Sequence, residues 1–523
     1  MKVLVAEPIA DPGIERLRSE GLTVDVLTDL SRDKLLSVIG EYDALIVRSA
    51  TKADAELIER APSLKVIGRA GIGVDNVDID AATRHGIVVV NAPRSNSISA
   101  AEHTIALLLA QARNIPAASV SLKGGAWERK RFEGVELHGK VLAIVGLGQI
   151  GTLVAQRALA FGMKVIAADP YVSKARAAQI GVELVDLDEA LARADFVTLH
   201  VPSQDGVLIG ARELGLMKTG ARIVNTARGG LIDEQALADA IRSGHIAGAA
   251  VDVFPEEPPP GSPLFELDAV VVTPHLGAST HEAQDKAGAT IADQVLLALR
   301  GDLAQYAVNV EAGREIADAV RPFIRLAERL GRIFTHLSAE GLHDVEIAFR
   351  GKIAEHDTRV LTLSALRGML APVVHQPVTF VNAPLLAEER GLTHTETKGQ
   401  SAGDYVNEVE LRDSAGTSVS GTVLGPKDEE RITGVWDFEL DMPPGEHMAF
   451  LRYDDRPGVI GAIGTILGAR GINIADMRVG RRARGGEALM SLTVDQPMPP
   501  EVLEELAQGS GAKDARFIEL DGS

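Results

Sequence analysis

The chain has 523 residues, 46% of them hydrophobic, a formal charge of -20 and no cysteine. Its length exceeds what a single hydrophobic core supports, so roughly three or four domains are expected. The acidic balance, with no basic cluster to offset it, argues against nucleic acid as a partner, and the missing thiols exclude disulfides, thiolate catalysis and cysteine-bound zinc.

The first residues, MKVLVAEPI, read as a strand rather than a signal peptide, and no apolar run reaches membrane-spanning length; a cytoplasmic protein is expected. A strand at 2–6, a helix at 11–20 and short apolar strands at 44–48, 64–68 and 88–90 alternate as in a parallel α/β unit. A long, mostly apolar helix follows at 97–115 and suits a dimer contact. Residues 141–151 then read VLAIVGLGQIG, a buried strand that breaks at Gly146, Gly148 and Gly151 into a helix. The next apolar run, KVIAADP at 164–170, carries Asp169, 18 residues after Gly151. A strand, a glycine-rich turn, a helix and an acid at that distance fit a pyrophosphate on a helix N-terminus and a ribose diol on a carboxylate. A carboxylate also repels a 2′-phosphate, which favours NAD over NADP.

Further strands at 196–200, 222–226, 247–253 and 269–273 continue this second unit, and 281–300 reads as a helix. AVNV at 307–310 reads as a strand that would complete the first unit's sheet and make that domain discontinuous. The expected division is a substrate-binding lobe at 1–96 completed by 290–311, an NAD-binding Rossmann domain at 97–289, a third domain at 312–440 and a fourth at 441–523. The third alternates a helix (315–334) with strands at 345–351, 378–382 and 418–425, and shows no catalytic constellation. The fourth has the βαββαβ order of a ferredoxin-like unit. Overall the chain is α/β: two Rossmann-like lobes, an α+β domain and a ferredoxin-like domain.

Three residues sit near the ends of successive strands in the second lobe: Arg228, Glu257 and His275. Hydride transfer from an alcohol carbon needs a base for the hydroxyl proton, and histidine is suited to that work. A carboxylate beside it fixes the ring, and an arginine offers a charged fork for a carboxylate or a polarised carbonyl. Each alone has a plain reading as a buried histidine, a loop acid or a surface charge. His200, at the end of FVTLH, lines the cofactor site or simply fills a strand end. The thirteen histidines form no metal-ligand spacing. In the last domain Tyr453, Asp455 and Pro457 cluster at the first turn, and Asn473 starts the next strand. Asp455 is suited to an amine and Asn473 to a small polar ligand; the alternative is a pure oligomerisation module.

These segments, above all GRAGIGVDNVD (68–78), NAPRSNSISAAEHTIALLLA (91–110), VGLGQIG (145–151), VNTARGGLIDEQAL (224–237), GAAVDVFPEEPP (248–259) and PHLGAST (274–280), closely resemble the D-isomer-specific 2-hydroxyacid dehydrogenase family. The resemblance extends to its long form, with an intervening domain and a C-terminal ACT domain. It implies His275 as acid/base, Glu257 as its partner and Arg228 as the substrate-orienting cation. It places Ile72, Gly148, Gln149, Ile150, Asp169, Thr226, Asp252 and Gly277 around NAD. The loop 71–74, with Gly71, Gly73 and Val74, would offer N–H groups to the substrate carboxylate. Arg48 and Arg69 are candidates for a substrate phosphate, with ordinary salt bridging as the alternative. The implied reaction is oxidation of D-3-phosphoglycerate to 3-phosphohydroxypyruvate, the first step of phosphorylated serine synthesis, in a homo-tetramer inhibited by L-serine. Two other functions compete: reduction of another 2-oxo acid such as hydroxypyruvate, glyoxylate or 2-oxoglutarate, and a dinucleotide-sensing corepressor.

Overall fold

The computed structural model describes residues 1–203, 206–312, 316–338 and 341–520. Its first sheet is five-stranded and all parallel, in the order Thr23–Val26, Lys2–Val5, Ala44–Val47, Val66–Arg69, Val88–Asn91. The strands are short and almost wholly apolar because both faces are covered. Leu4, Leu45, Val47, Ile67 and Val89 face one layer, and Val3, Val5, Ile46 and Val66 face the other. That second layer includes Ile291, Ala292 and Val295 of the helix His281–Leu299. A Cβ added at Gly68 would lie 2.9 Å from Val295, and one at Gly13 2.5 Å from the carbonyl oxygen of Gly288. The chain therefore returns to the first lobe at residue 281, about ten residues before the expected 290. AVNV is not a strand: Ala307 makes a single antiparallel bridge to Val90, and Val308 N–H donates to Val89.

The second sheet has seven parallel strands in the order Val270–Val272, Ile246–Val251, Ala221–Asn225, Phe196–Leu199, Val141–Val145, Lys164–Ala168, Glu183–Leu184. The order reverses between Val141–Val145 and Phe196–Leu199, and ligands of open parallel sheets bind at such a point. The helix expected at 97–115 ends at Ala112; Asn114 is left-handed (φ 55), and a second helix, Ile115–Lys123, leaves at 61°. No single helix among the described residues is long and apolar enough to cross a membrane.

In the third domain the helices Phe323–Leu337 and Arg359–Leu370 pack on a six-stranded sheet. They cross closely because Gly331 and Gly368 lack side chains: added Cβ atoms would lie 2.2 Å and 1.9 Å from carbonyls of the facing helix. The first of these helices begins after Pro322 rather than at residue 315, which lies outside the described residues. VTFVN at 378–382 is not a strand but the turn leading into the helix Ala383–Glu389, whose second residue is Pro384.

The last domain is the expected βαββαβ unit, ordered Ile474–Arg481, Glu487–Val494, His447–Asp454, Asp514–Glu519. One sheet face carries two helices. The other, with Met448, Phe450, Leu489 and Ile518, shares a continuous apolar core with the third domain.

Candidate active site

The glycine loop is shaped as dinucleotide binding requires. Gly146 is left-handed (φ 93), and a Cβ there would lie 2.5 Å from the carbonyl oxygen of His200. A Cβ at Gly151 would lie 2.1 Å from the carbonyl oxygen of Gly146, so only glycine lets the helix Gln149–Ala160 close on the loop. Gly148 has nothing within 4 Å of a Cβ position; this open side is where a pyrophosphate fits. The N–H groups of Gln149 and Ile150 make no hydrogen bond among the described residues and head the helix. The Ile150 side chain itself packs on the core, and the Gln149 side chain accepts from Ser97 at 3.2 Å.

Asp169 ends its strand and accepts from Leu147 N–H and Tyr171 N–H, both at 2.8 Å. One carboxylate thus secures the glycine loop and its own turn, with lone pairs left for a ribose diol. Ile72 accepts from Asn91 at 2.6 Å through its carbonyl, and the Thr226 hydroxyl meets that of Thr104 at 2.7 Å. His200 bonds Thr198 at 3.1 Å, and burial pushes its pKa down to about 4, so the ring is neutral.

At the far end of the same crevice, His275 Nδ1 lies 2.6 Å from Glu257 Oε2. Glu257 Oε1 accepts from Phe254 N–H at 3.0 Å. Burial raises the pKa of Glu257, but the His275 hydrogen bond and the Phe254 N–H outweigh it and hold the carboxyl below its usual range. His275 itself is left-handed (φ 54). Its backbone is set by Asp252, which has no solvent exposure. Asp252 accepts from Thr273 Oγ1 at 2.5 Å, from Leu276 N–H at 2.8 Å and from Gly277 N–H at 2.9 Å, with His103 Nε2 at 3.2 Å. Asp252 and Gly277 are thus tied to the loop that carries His275.

Burial pushes Asp252 up, and His103, Thr273 and Leu276 more than reverse it, so its folded pKa lies below the unfolded value. The unfolded chain then takes up the proton first, and this stabilisation is present at neutral pH and lost as pH falls through the folded pKa. Asp252→Asn is expected to lower the melting temperature at pH 7, by an amount corresponding to about 1–3 kcal/mol for the unmatched buried donors. Melts of both proteins from pH 7 down to about pH 3, below the ordinary Asp pKa, check this: the gap narrows with acidification, and a constant gap contradicts it.

Arg48, Ser49, Arg69, Gly71, Glu257 and His275 line one cleft of about 500 Å³ between the lobes. Neither Arg48 nor Arg69 has an acidic partner within salt-bridge distance among the described residues. Burial, then the charge of Arg228, pushes the Arg69 pKa down, and its buried Nε has no hydrogen-bond partner. A Cβ at Gly71 would sit 1.8 Å from Arg69 Nη1, so this glycine makes room for the guanidinium. Its N–H is bonded to the Arg69 carbonyl at 2.8 Å, which removes it from the expected anion nest. The N–H groups of Ile72, Gly73 and Val74 make no hydrogen bond among the described residues. Arg228 reaches the same loop from the second lobe: a Cβ at Gly73 would lie 2.4 Å from its Nη2, and its Nε lies 3.3 Å from Asp75. Asp75 and Ser203, 3.3 Å apart, were not singled out by the sequence; an exposed acid beside a glycine pair carries no signal until the lobes are folded together.

The residues of the last domain separate. Asp455 accepts from Gly485 N–H at 3.3 Å and faces Arg481 at 3.4 Å, while Tyr453 is buried beneath the helices. Asn473 does not join them. It lies next to the Ile474–Val494 pair at the opposite end of the sheet and donates to Asp495 at 2.6 Å. The glycines Gly461 and Gly464 have nothing within 4 Å of a Cβ position.

This pairing of a dinucleotide crevice with a His–Glu couple and converging arginines defines an NAD-dependent dehydrogenase of 2-hydroxy acids. Residues 105–277 match the family model for the NAD-binding domain of D-isomer specific 2-hydroxyacid dehydrogenases. Residues 319–435 match the D-3-phosphoglycerate dehydrogenase intervening domain, and 447–508 the ACT domain. The chain is 46% identical over 524 residues to a D-3-phosphoglycerate dehydrogenase of Mycobacterium tuberculosis, covering 99% of each. It is 46% identical over 530 residues to that of Archaeoglobus fulgidus, covering 99% of this chain and 100% of the relative. Among solved structures, D-lactate dehydrogenase from Aquifex aeolicus, complexed with NAD and lactic acid, is 26% identical with a TM-score of 0.52, covering 58% of this chain and 96% of the other. The chain belongs to the D-3-phosphoglycerate dehydrogenase family.

Proposed function

We propose that this protein oxidises D-3-phosphoglycerate to 3-phosphohydroxypyruvate with NAD, the first step of phosphorylated serine synthesis. The observation that carries the proposal is the 2.6 Å His275–Glu257 pair lining the same cleft as two arginines without acidic partners. NAD, which the glycine loop at Gly146–Gly151 and Asp169 would hold, would supply the hydride acceptor. His275, with Nδ1 turned to Glu257, uses Nε2 to take the hydroxyl proton, and the Glu257 carboxylate stabilises the imidazolium that results. Arg228 and the N–H groups of residues 72–74 hold the substrate carboxylate and the developing carbonyl. Arg48 and Arg69 hold the phosphate. Asp169 holds the cofactor ribose and disfavours NADP.

The protein is further proposed to work as a cytoplasmic homo-tetramer inhibited by L-serine. Ile98, Ile115, Val120, Leu122 and Trp127 leave an apolar run exposed, which supports self-association. The ligand site of the ACT domain fits two chains. The outer edge of Ile474–Arg481 pairs with no strand among the described residues. Antiparallel pairing of two such edges would bring Asn473 of the partner subunit toward Asp455.

The test is steady-state kinetics of the full-length protein with D-3-phosphoglycerate, D-glycerate, D-lactate and D-2-hydroxyglutarate, with NAD or NADP, with and without millimolar serine. Preference for the phosphorylated acid by ~10²-fold or more is expected, with NAD over NADP and slower rates in serine. Better turnover of the unphosphorylated acids gives the site to another 2-oxo acid. No turnover at all gives it to a sensor, and indifference to serine makes the ACT domain an assembly module.

A further inference from the structure

The five-stranded sheet of the first lobe reverses its order between Lys2–Val5 and Ala44–Val47, so the loops after these two strands flank a crevice. Arg48 follows the second strand. Glu7 follows the first, and an acid at the mouth of a site proposed to take a phosphate needs a reason. The reason is in its contacts: Glu7 Oε1 accepts from Arg48 N–H at 2.9 Å and Thr51 N–H at 2.8 Å, and Oε2 accepts from Ala50 N–H at 3.1 Å. Burial pushes the Glu7 carboxyl up, and these three donors overcome it and hold the group ionised. On the other side of the loop, Asn76 Nδ2 donates to the carbonyls of Arg48 at 2.9 Å and Thr51 at 2.6 Å. The loop 48–51 is exposed at Ser49 and Ala50 and has no regular structure, yet its backbone is held from both flanks. Through Asn76 it is also tied to the loop that carries the free N–H groups of residues 72–74.

We propose that Glu7 is a positioning residue that sets the loop 48–51 and thereby aims Arg48 into the substrate cleft, so that it governs discrimination for the phosphorylated acid. Glu7 does not touch substrate; it acts through Arg48. This inference rests on the proposed reaction and adds to it the element that makes the phosphate subsite rigid. A long arginine on an unheld loop would give up much of its binding energy to ordering the loop and side chain. With its backbone fixed at both flanks, that cost is met during folding.

Glu7→Gln keeps size and shape but turns an amide N–H₂ toward a backbone N–H, so at least one of the three bonds is lost. In the full-length enzyme the KM for D-3-phosphoglycerate is expected to rise about tenfold or more, as expected for loss of a preorganised charged contact. The kcat, the KM for NAD and the kcat/KM for D-glycerate stay within about twofold, because the His275–Glu257 pair and the cofactor crevice are untouched. Glu7→Asp keeps the charge but withdraws it from the loop, and serves the same comparison if the amide variant does not fold. Parallel loss of kcat/KM for both acids, or no change for either, overturns the role of Glu7. Failure of the wild-type enzyme to prefer the phosphorylated acid overturns the proposed function instead, so the two failures are told apart.

Discussion

Replacing His275 by alanine is expected to slow turnover by about 10²–10⁴-fold, the usual worth of a positioned general base, while NAD binds as before. The two halves of this result have separate structural sources. The proton acceptor is one imidazole, held by Glu257 at 2.6 Å. The cofactor is held some strands away, by the glycine loop, the head of the helix Gln149–Ala160 and Asp169. No hydrogen bond from the His275 ring reaches those elements. Its backbone is held by Asp252 whatever residue is placed there; the left-handed conformation (φ 54), which histidine adopts more readily than alanine, adds only a small cost to the variant. Glu257→Gln removes the charge that balances the imidazolium and is expected to cost at least ~10-fold. The double variant should be no slower than His275→Ala alone, because the two residues act as a unit. Single-turnover kinetics and NADH fluorescence titration read the two halves independently. Normal turnover with weakened NAD binding contradicts the assignment.

The parts of this molecule legible in the sequence are those where chemistry demands a residue type at a fixed spacing. Gly146 and Gly151 each have a distinct steric reason, a left-handed turn against His200 and a close approach to Gly146, while Gly148 keeps open the side where a pyrophosphate fits. Buried parallel strands such as ALIV at 44–47 are continuous apolar runs and stand out for the same kind of reason. The third domain was harder to read. NEVELR at 407–412 alternates apolar and charged residues, and its charges are satisfied by the folded sheet, Glu408 and Glu410 by Arg350 and Arg412 by Asp437, with a Glu410–Arg412 pair along the strand. THTETKG at 393–399 is an edge strand exposed nearly throughout. VTFVN looked like a strand because its composition is that of one, but Asn382 accepts from Thr379 N–H and turns the chain into a helix. In the site, the roles of single atoms were out of reach. Sequence places Gly71 in an anion-binding loop; only the fold shows that its N–H is already taken and that its missing side chain is what Arg69 uses. Tyr453, Asp455 and Asn473 were grouped because they flank one helix in sequence, whereas antiparallel pairing sends Asn473 to the other end of the sheet.

Removal of Arg228 is expected to lower kcat/KM by about 10²–10³-fold, the cost of losing one preorganised donor to a developing oxyanion, again without loss of NAD affinity. Charge alone does not explain why this position is arginine. Arg228 Nη1 donates to the carbonyl of Ala227 at 2.7 Å and Nε faces Asp75 across the cleft, so two edges of the guanidinium are spent on orientation. Nη2 is left against the loop at Gly73, beside the free N–H groups of residues 72–74. A lysine ammonium is a single point on a flexible stem and cannot be held at two edges while it presents a third. Arg228→Lys is therefore expected to restore charge but not rate, remaining ~10-fold or more below wild type. A lysine variant within twofold of wild type shows that only a positive potential is needed. Gly73→Ala sharpens the distinction, since its Cβ would occupy a point 2.4 Å from Nη2 and push the fork aside with its charge intact. If orientation is what matters, this added methyl group raises the KM for the acid and slows hydride transfer together, as Arg228→Lys does.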